Sequence, residues 1–250
     1  MQTELKNKIA IVTGSYGDIG RAICQKLASN GIKIALLGRD LKKLKSQKSK
    51  LLEKNKTEII ISNLDVSDFN SYKDAVDSII IKWGKIDILI NNAGITKDNI
   101  IIRMSNEEWE DVINTNLKGT FIGCKLVSKF MIKQKYGKII NISSVVAVAG
   151  QPGYLHYVAT KGAVLAMTKG LAKECGVDKV RVNTIAPGFV ITDATKNRPI
   201  EWQQNFLKAR AISREQRPED LVGTAVYLLS DLSAFVSGQT HVVDGGHIMY

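Results

Sequence analysis

Proline and cysteine are scarce in this chain, with four and three among 250 residues. Few prolines interrupt its apolar pattern, and no linker or internal repeat divides it. The cysteines, Cys24, Cys124 and Cys175, are odd in number, far apart and without metal-site spacing. That excludes a disulfide-stapled secreted scaffold and fits a reducing compartment. No uninterrupted apolar stretch approaches the ~18 residues that a bilayer-spanning helix needs. The start, Met1–Lys6, runs straight into a strand-like segment without a signal-peptide h-region, so a cytoplasmic location is expected. No cluster of His, Cys and carboxylates calls for a metal. At 44% hydrophobic, the chain is too apolar for disorder and long enough to bury a substantial core.

Acidic residues are also in deficit. Lys and Arg number 35 against 24 Asp and Glu, leaving a net charge of +11 and a pI near 9.5. Nucleic acid, an anionic membrane surface, or an acidic substrate or protein would each suit that excess; so would a merely solvated lysine-rich surface. No zinc-finger spacing or aromatic-studded basic stretch supports nucleic acid. The densest basic run, Asp40 to Lys56, carries Leu41, Leu44, Leu51 and Leu52 at helical spacing and reads as an amphipathic surface helix.

What is present is an alternation of strands and helices. Lys8–Val12, Ile32–Leu37, Glu58–Ser62, Ile86–Ile90, Ile139–Ile142, Val180–Ile185 and Thr240–Val243 read as strands. Helices are expected between them, among them Asp18–Ser29 and Asp68–Trp83. Continuous Ile/Val/Leu runs suit strands buried on both faces. The expectation is one doubly wound α/β domain over residues 1–250: a seven-stranded, mostly parallel sheet with helices on both faces and ligands at the strands' carboxyl ends.

Three constellations carry chemistry. Thr13-Gly14-Ser15-Tyr16-Gly17-Asp18-Ile19-Gly20 joins the first strand to its helix, where glycines let backbone amides and a helix N-terminus approach a pyrophosphate. The second strand ends Leu36-Leu37-Gly38-Arg39-Asp40. Gly38 has no side chain to bind a ribose 2′-hydroxyl, Arg39 offers a bidentate grip on a 2′-phosphate, and Asp40 reads as the next helix's cap. Tyr157 and Lys161, four apart, share a helix face, and a nearby ammonium is expected to lower the phenol's pKa. Ser144 ends the preceding strand within reach of the same carbonyl, and Asn116 lies on the helix before it.

Together these residues resemble the short-chain dehydrogenase/reductase family, whose first loop reads TGxxxGxG and whose tetrad matches Asn116, Ser144, Tyr157 and Lys161 in order and spacing. The likeness spans essentially the whole chain and implies a Rossmann-type fold. It implies hydride transfer between a nicotinamide cofactor and a carbonyl or alcohol carbon. Tyr157 would act as proton donor, Ser144 would bind the carbonyl oxygen, Lys161 would hold the ribose, and Asn116 would keep a kinked helix. The implied cofactor is NADP(H). Its expected contacts are Gly14, Ser15, Ile19, Gly20, Arg39, Asp65, Val66, Asn92, Ala93, Gly94, Tyr157, Lys161, Pro187, Gly188, Val190 and Thr192. Gly238-Gln239-Thr240 and Val243-Asp244-Gly245-Gly246 resemble the family's C-terminal signature at a subunit interface. One departure is Asp18 at the loop's middle glycine, with a glycine one place earlier at Gly17. A carboxylate there repels a pyrophosphate unless it caps the helix and points away.

Asn92 to Met104, followed by Glu107-Glu108-Trp109, is similar to the bacterial 3-oxoacyl-[acyl-carrier-protein] reductases of fatty acid synthesis. That resemblance implies a homotetramer and an acidic acyl carrier protein docking on basic helix residues, here Lys129 and Lys173. Ala147 after Ser144 and the segment Ala211–Pro218 depart from those reductases near the substrate. This keeps a 3-oxoacyl-CoA, a steroid, and a sugar or polyol open as substrates. A reading of another class, a structural or regulatory subunit that binds cofactor poorly, is opposed by the intact tetrad.

Overall fold

Seven strands of short aliphatic runs form the centre: β1 (Ile9–Thr13), β2 (Lys33–Gly38), β3 (Ile59–Asn63), β4 (Ile88–Asn91), β5 (Gly137–Ile142), β6 (Val180–Pro187) and β7 (Thr240–Val243). This is a computed structural model that describes residues 5–249. Met1–Glu4 and Tyr250, including most of the segment read as leaderless, lie outside them. The strand order is β3-β2-β1-β4-β5-β6-β7, and every pairing is parallel. The sheet is therefore wholly parallel, where the sequence led us to expect a mostly parallel one. Each connection is long enough to carry a crossover back to the starting edge.

The helices are α1 (Asp18–Ser29), α2 (Leu41–Lys54), α3 (Phe69–Trp83), α4 (Asn106–Val112), α5 (Gly119–Gln134), α6 (Val146–Ala149), α7 (Leu155–Cys175), α8 (Ile200–Ala209) and α9 (Val222–Leu229). A π-helical turn, Ile113–Lys118, joins α4 to α5. Two cores flank the sheet. One packs Ile23, Leu27, Leu44, Leu51 and Leu228 of α1, α2 and α9 against it. The other packs Tyr72, Val76, Ile79, Val127, Met131 and Cys175 of α3, α5 and α7 on the opposite face. Burial on both sides is why the strands show no polar alternation.

Side-chain caps set several helix starts. Asp40 accepts from the Lys43 amide at 3.0 Å and Asp68 from the Ser71 amide at 2.8 Å, and Ser105 with Glu108 closes a capping box on α4. Of the two readings of Asp18, the one in which it caps α1 does not hold. Gly17, in extended conformation, is the N-cap, and Asp18 is the first helical residue with its carboxylate turned to Arg21 and to the backbone of Asp193. The chain order reverses between β1 and β4, which opens a crevice at their carboxyl ends. No helix among the described residues is long and apolar enough to cross a membrane.

Candidate active site

A cleft of about 1060 Å³ opens over that crevice. Its floor is the turn after β1. Gly14 has φ +57°, and a Cβ there would stand 2.9 Å from the Ala93 Cα. Only glycine allows the loop to lie this close to the β4 turn. Asn92 fastens the two together: its Nδ2 donates to the carbonyls of Thr13 and Gly14 at 3.1 and 3.0 Å. Thr13 Oγ1 in turn accepts the Asn92 and Ala93 amides.

Most residues expected to hold the cofactor line this cleft: Gly14, Ile19, Arg39, Asp65, Val66, Asn92, Ala93, Gly94, Tyr157, Lys161, Pro187, Gly188, Val190 and Thr192. Ser15 and Gly20 do not. Ser15 is fully buried, with both its amide and its hydroxyl donating to the Leu37 carbonyl. Gly20 sits behind the wall, where a Cβ would come 2.5 Å from the Gly14 carbonyl oxygen. These two residues shape the loop, while Tyr16 presents its side chain instead. A Cβ on Gly38 would stand 2.5 Å from the Tyr16 ring, and the Lys43 ammonium lies 5.6 Å from the centre of that ring. Arg39 is exposed at the same end, where its charge helps hold the Asp65 carboxyl below its ordinary range. Hydrogen bonds from Ser67 are the larger cause of that shift.

At the other end of the cleft the four tetrad positions come together. Asn116 is fully buried in the π-helical turn, and its side chain is spent on Ile95. Oδ1 accepts the Ile95 amide at 2.8 Å, and Nδ2 donates to the Ile95 carbonyl at 2.9 Å. The turn puts the kink where the resemblance implied one, since one extra residue swings the Asn116 side chain out of the α-helical register. Ser144 follows β5 and lies close enough to the Tyr157 phenol to oppose the rise in its proton affinity. The Lys161 ammonium lies 5.4 Å from the Tyr157 ring centre and donates to the Ile142 carbonyl at 2.8 Å.

Burial governs the proton affinities here. It pushes the Tyr157 phenol up to about 12, with the Ser144 hydroxyl opposing. It also pushes the Lys161 ammonium down to about 8. The expectation that Lys161 lowers the phenol's pKa is thus not met in this arrangement. Burial disfavours both charged forms, and the ammonium is directed at a backbone carbonyl.

Sequence reasoning missed a second group at the cleft's rim. Tyr154 donates to Asp98 Oδ2 at 3.1 Å, and Arg198 pairs with the same carboxylate. No spacing rule joins residues so far apart in the chain; only the fold does. Lys129 and Lys173 are exposed, but not beside their own chain's cleft. Lys173 follows Lys161 along α7 by about 18 Å toward the opposite end of the sheet. Neither lysine lines the cleft of its own chain.

Residues 15–247 match the family model described as enoyl-(acyl carrier protein) reductase. The chain is 38% identical to the 3-oxoacyl-[acyl-carrier-protein] reductase of Chlamydia muridarum, over 98% of this chain and 99% of that protein. It is 37% identical to the reductase of the same name from Thermotoga maritima, again over 98% and 99%. The chain belongs to the short-chain dehydrogenase/reductase family. Among solved structures, a short-chain type dehydrogenase/reductase from Mycobacterium ulcerans superposes with a TM-score of 0.94 at 28% identity, covering 97% of this chain and 90% of that one. The 3-oxoacyl-[acyl-carrier protein] reductase of Brucella melitensis gives 0.92 at 30% identity, covering 98% and 92%. As a member of this family the chain is an oxidoreductase acting on CH–OH and C=O groups with a nicotinamide cofactor.

Proposed function

We propose that this short-chain reductase converts 3-oxoacyl thioesters on acyl carrier protein to 3-hydroxyacyl thioesters, using NADPH, in fatty acid synthesis in the cytoplasm. The observation that carries the reading is the pairing of the Ser144 and Tyr157 hydroxyls at one end of the cleft, with a buried ammonium behind them. Two hydroxyls converging on one point suit a single carbonyl oxygen. That favours a ketone over the conjugated double bond named in the family description. The names of the Chlamydia and Thermotoga relatives point the same way.

The cradle fits a dinucleotide. Glycine is required at Gly14; Gly17, Asp18 and Ile19 at the start of α1 line the cleft; and Arg39 with Lys43 supplies positive charge beyond Gly38. Any acid at position 38 would collide with Tyr16, which supports a 2′-phosphate over a free 2′-hydroxyl. Bound there, the nicotinamide supplies the hydride. Ser144 holds the carbonyl oxygen, and Tyr157, protonated at neutral pH as phenols are, gives its O–H proton to the oxygen as negative charge develops. Lys161 would hold the ribose hydroxyls, and Asn116 holds the Ile95 loop that walls the same corner.

The assembly is a homotetramer in this reading. Lys129 and Lys173 dock the acidic carrier for the cleft of a neighbouring copy, since their own cleft lies at the far end of the helices. The test follows cofactor oxidation with acetoacetyl-carrier protein, acetoacetyl-CoA and simple ketones, with NADPH and again with NADH. The carrier-bound substrate with NADPH should give the highest kcat/KM; a preference for a simple ketone would overturn the substrate assignment. Tyr157→Phe should abolish turnover and leave cofactor binding intact, and retained turnover would remove Tyr157 from the mechanism.

A further inference from the structure

Asp18, the residue that departs from the family's loop, has its carboxylate committed on both oxygens. Oδ2 accepts the backbone N–H of Asp193 at 2.7 Å, and Oδ1 pairs with Arg21. The contact reaches from the phosphate-side loop to the segment that follows β6 and borders the cleft. Between residues 191 and 199 that segment is a tight turn. The Thr192 amide donates to Thr195 Oγ1 at 2.8 Å, the Lys196 amide to the Thr192 carbonyl at 2.8 Å, and Lys196 Nζ to Asp193 Oδ1 at 2.7 Å.

The segment's other end is fastened on the opposite wall, where Arg198 pairs with Asp98 and Tyr154 donates to the same carboxylate. It is a strap between two carboxylates, Asp18 beside the phosphate loop and Asp98 beside the catalytic corner. Thr192, next to the first catch, lines the cleft. A glycine at position 18 would offer no side-chain acceptor to the strap. The neighbouring Gly17 already supplies the helix N-cap, which leaves position 18 free to carry a side chain. Pairing with Arg21 offsets the charge that would otherwise repel a diphosphate.

We propose that Asp18 is a positioning residue: its carboxylate fixes the strap so that Thr192 faces the cofactor and slows the cofactor's release. The proposal rests on the reading of the cleft as a dinucleotide site. The strap carries one trypsin site, the Lys196–Asn197 bond, because Arg198 is followed by Pro199, so its anchoring can be measured on the cofactor-free full chain. Asp18→Ala should speed cleavage there and NADPH release, followed by stopped-flow fluorescence, each by about tenfold, the scale of one lost charge-assisted hydrogen bond. Asp18→Asn keeps an acceptor and should restore both rates to near wild type. Asp18→Gly, the residue of the family pattern, should behave as the alanine variant does and replaces it if that variant does not fold.

Wild-type cleavage and release rates in the variants without an acceptor would overturn the proposal. So would tighter NADPH binding with unchanged cleavage, which would leave Asp18 as simple repulsion. If the wild-type chain binds no NADPH at all, the dinucleotide reading fails, and the cleavage rates still judge the strap.

Discussion

Tyr157 and Lys161 share one buried corner, and burial moves their proton affinities in opposite directions, to about 12 and about 8. For the tyrosine this keeps the phenol protonated well above neutral pH but makes it a weaker acid than an ordinary phenol. For the lysine it is a cost to the fold. In the unfolded chain its pKa returns to the ordinary 10.5, so below about 8 the folded protein holds a buried ammonium that water would solvate better. The shift corresponds to about 3 kcal/mol of lost stability at pH 7. As pH rises from about 8 toward 10.5, the folded lysine is already neutral while the unfolded one is still charged, so the penalty fades. Lys161→Met should therefore be inactive yet more heat-stable than wild type at pH 7, with the gap shrinking at pH 10. Thermal unfolding of both proteins at the two pH values checks this. A variant less stable than wild type at pH 7 would contradict the burial cost. Stability traded for chemistry is common at catalytic positions.

Among the elements, the turn from β1 to α1 has the least tolerance. Gly14 combines a left-handed backbone with a Cβ position 2.9 Å from a backbone atom of Ala93, and backbone cannot move aside as a side chain can. Gly14→Ala should cost about 2 kcal/mol in urea unfolding and weaken NADPH binding, because strain and clash act together. Unchanged stability and affinity would show that the loop has room. The α2 helix shows the contrasting case. Its Asp40 cap was legible from sequence and contributes only about 1 kcal/mol, so Asp40→Ala should lower the unfolding midpoint slightly and leave turnover unchanged. The π-helical turn between α4 and α5 had no composition signal of its own. Its placement depends on Asn116 reaching the Ile95 backbone, a contact made across 21 positions of sequence.

Over the whole molecule, the net charge of +11 separates into placed charges and surface. Lys161 lies beside Tyr157 at one end of the cleft, Arg39 and Lys43 line its other end, and Arg198 sits in the strap's anchor. Many remaining lysines, including those of α2, lie on exposed helix faces. If Lys129 and Lys173 dock an acidic carrier, Lys129→Glu with Lys173→Glu should raise KM for the carrier-protein substrate and leave that for the CoA substrate unchanged. An equal loss with both would refute docking there. The sequence by itself determined the alternation of strands and helices, to within one or two residues at most ends. It also pointed to the four residues that the fold gathers at one end of the cleft and to most of the residues that line it. Each of these is written in local periodicity or in fixed spacing along one segment. Only the tertiary structure decided the inward turn of Ser15, the Tyr16 ring over Gly38, and the anchoring of the strap by Asp18 and Asp98. It also decided which way burial moves the catalytic pKa values. Those depend on which distant segments share a volume and exclude water from it, a property that the folded sheet alone creates.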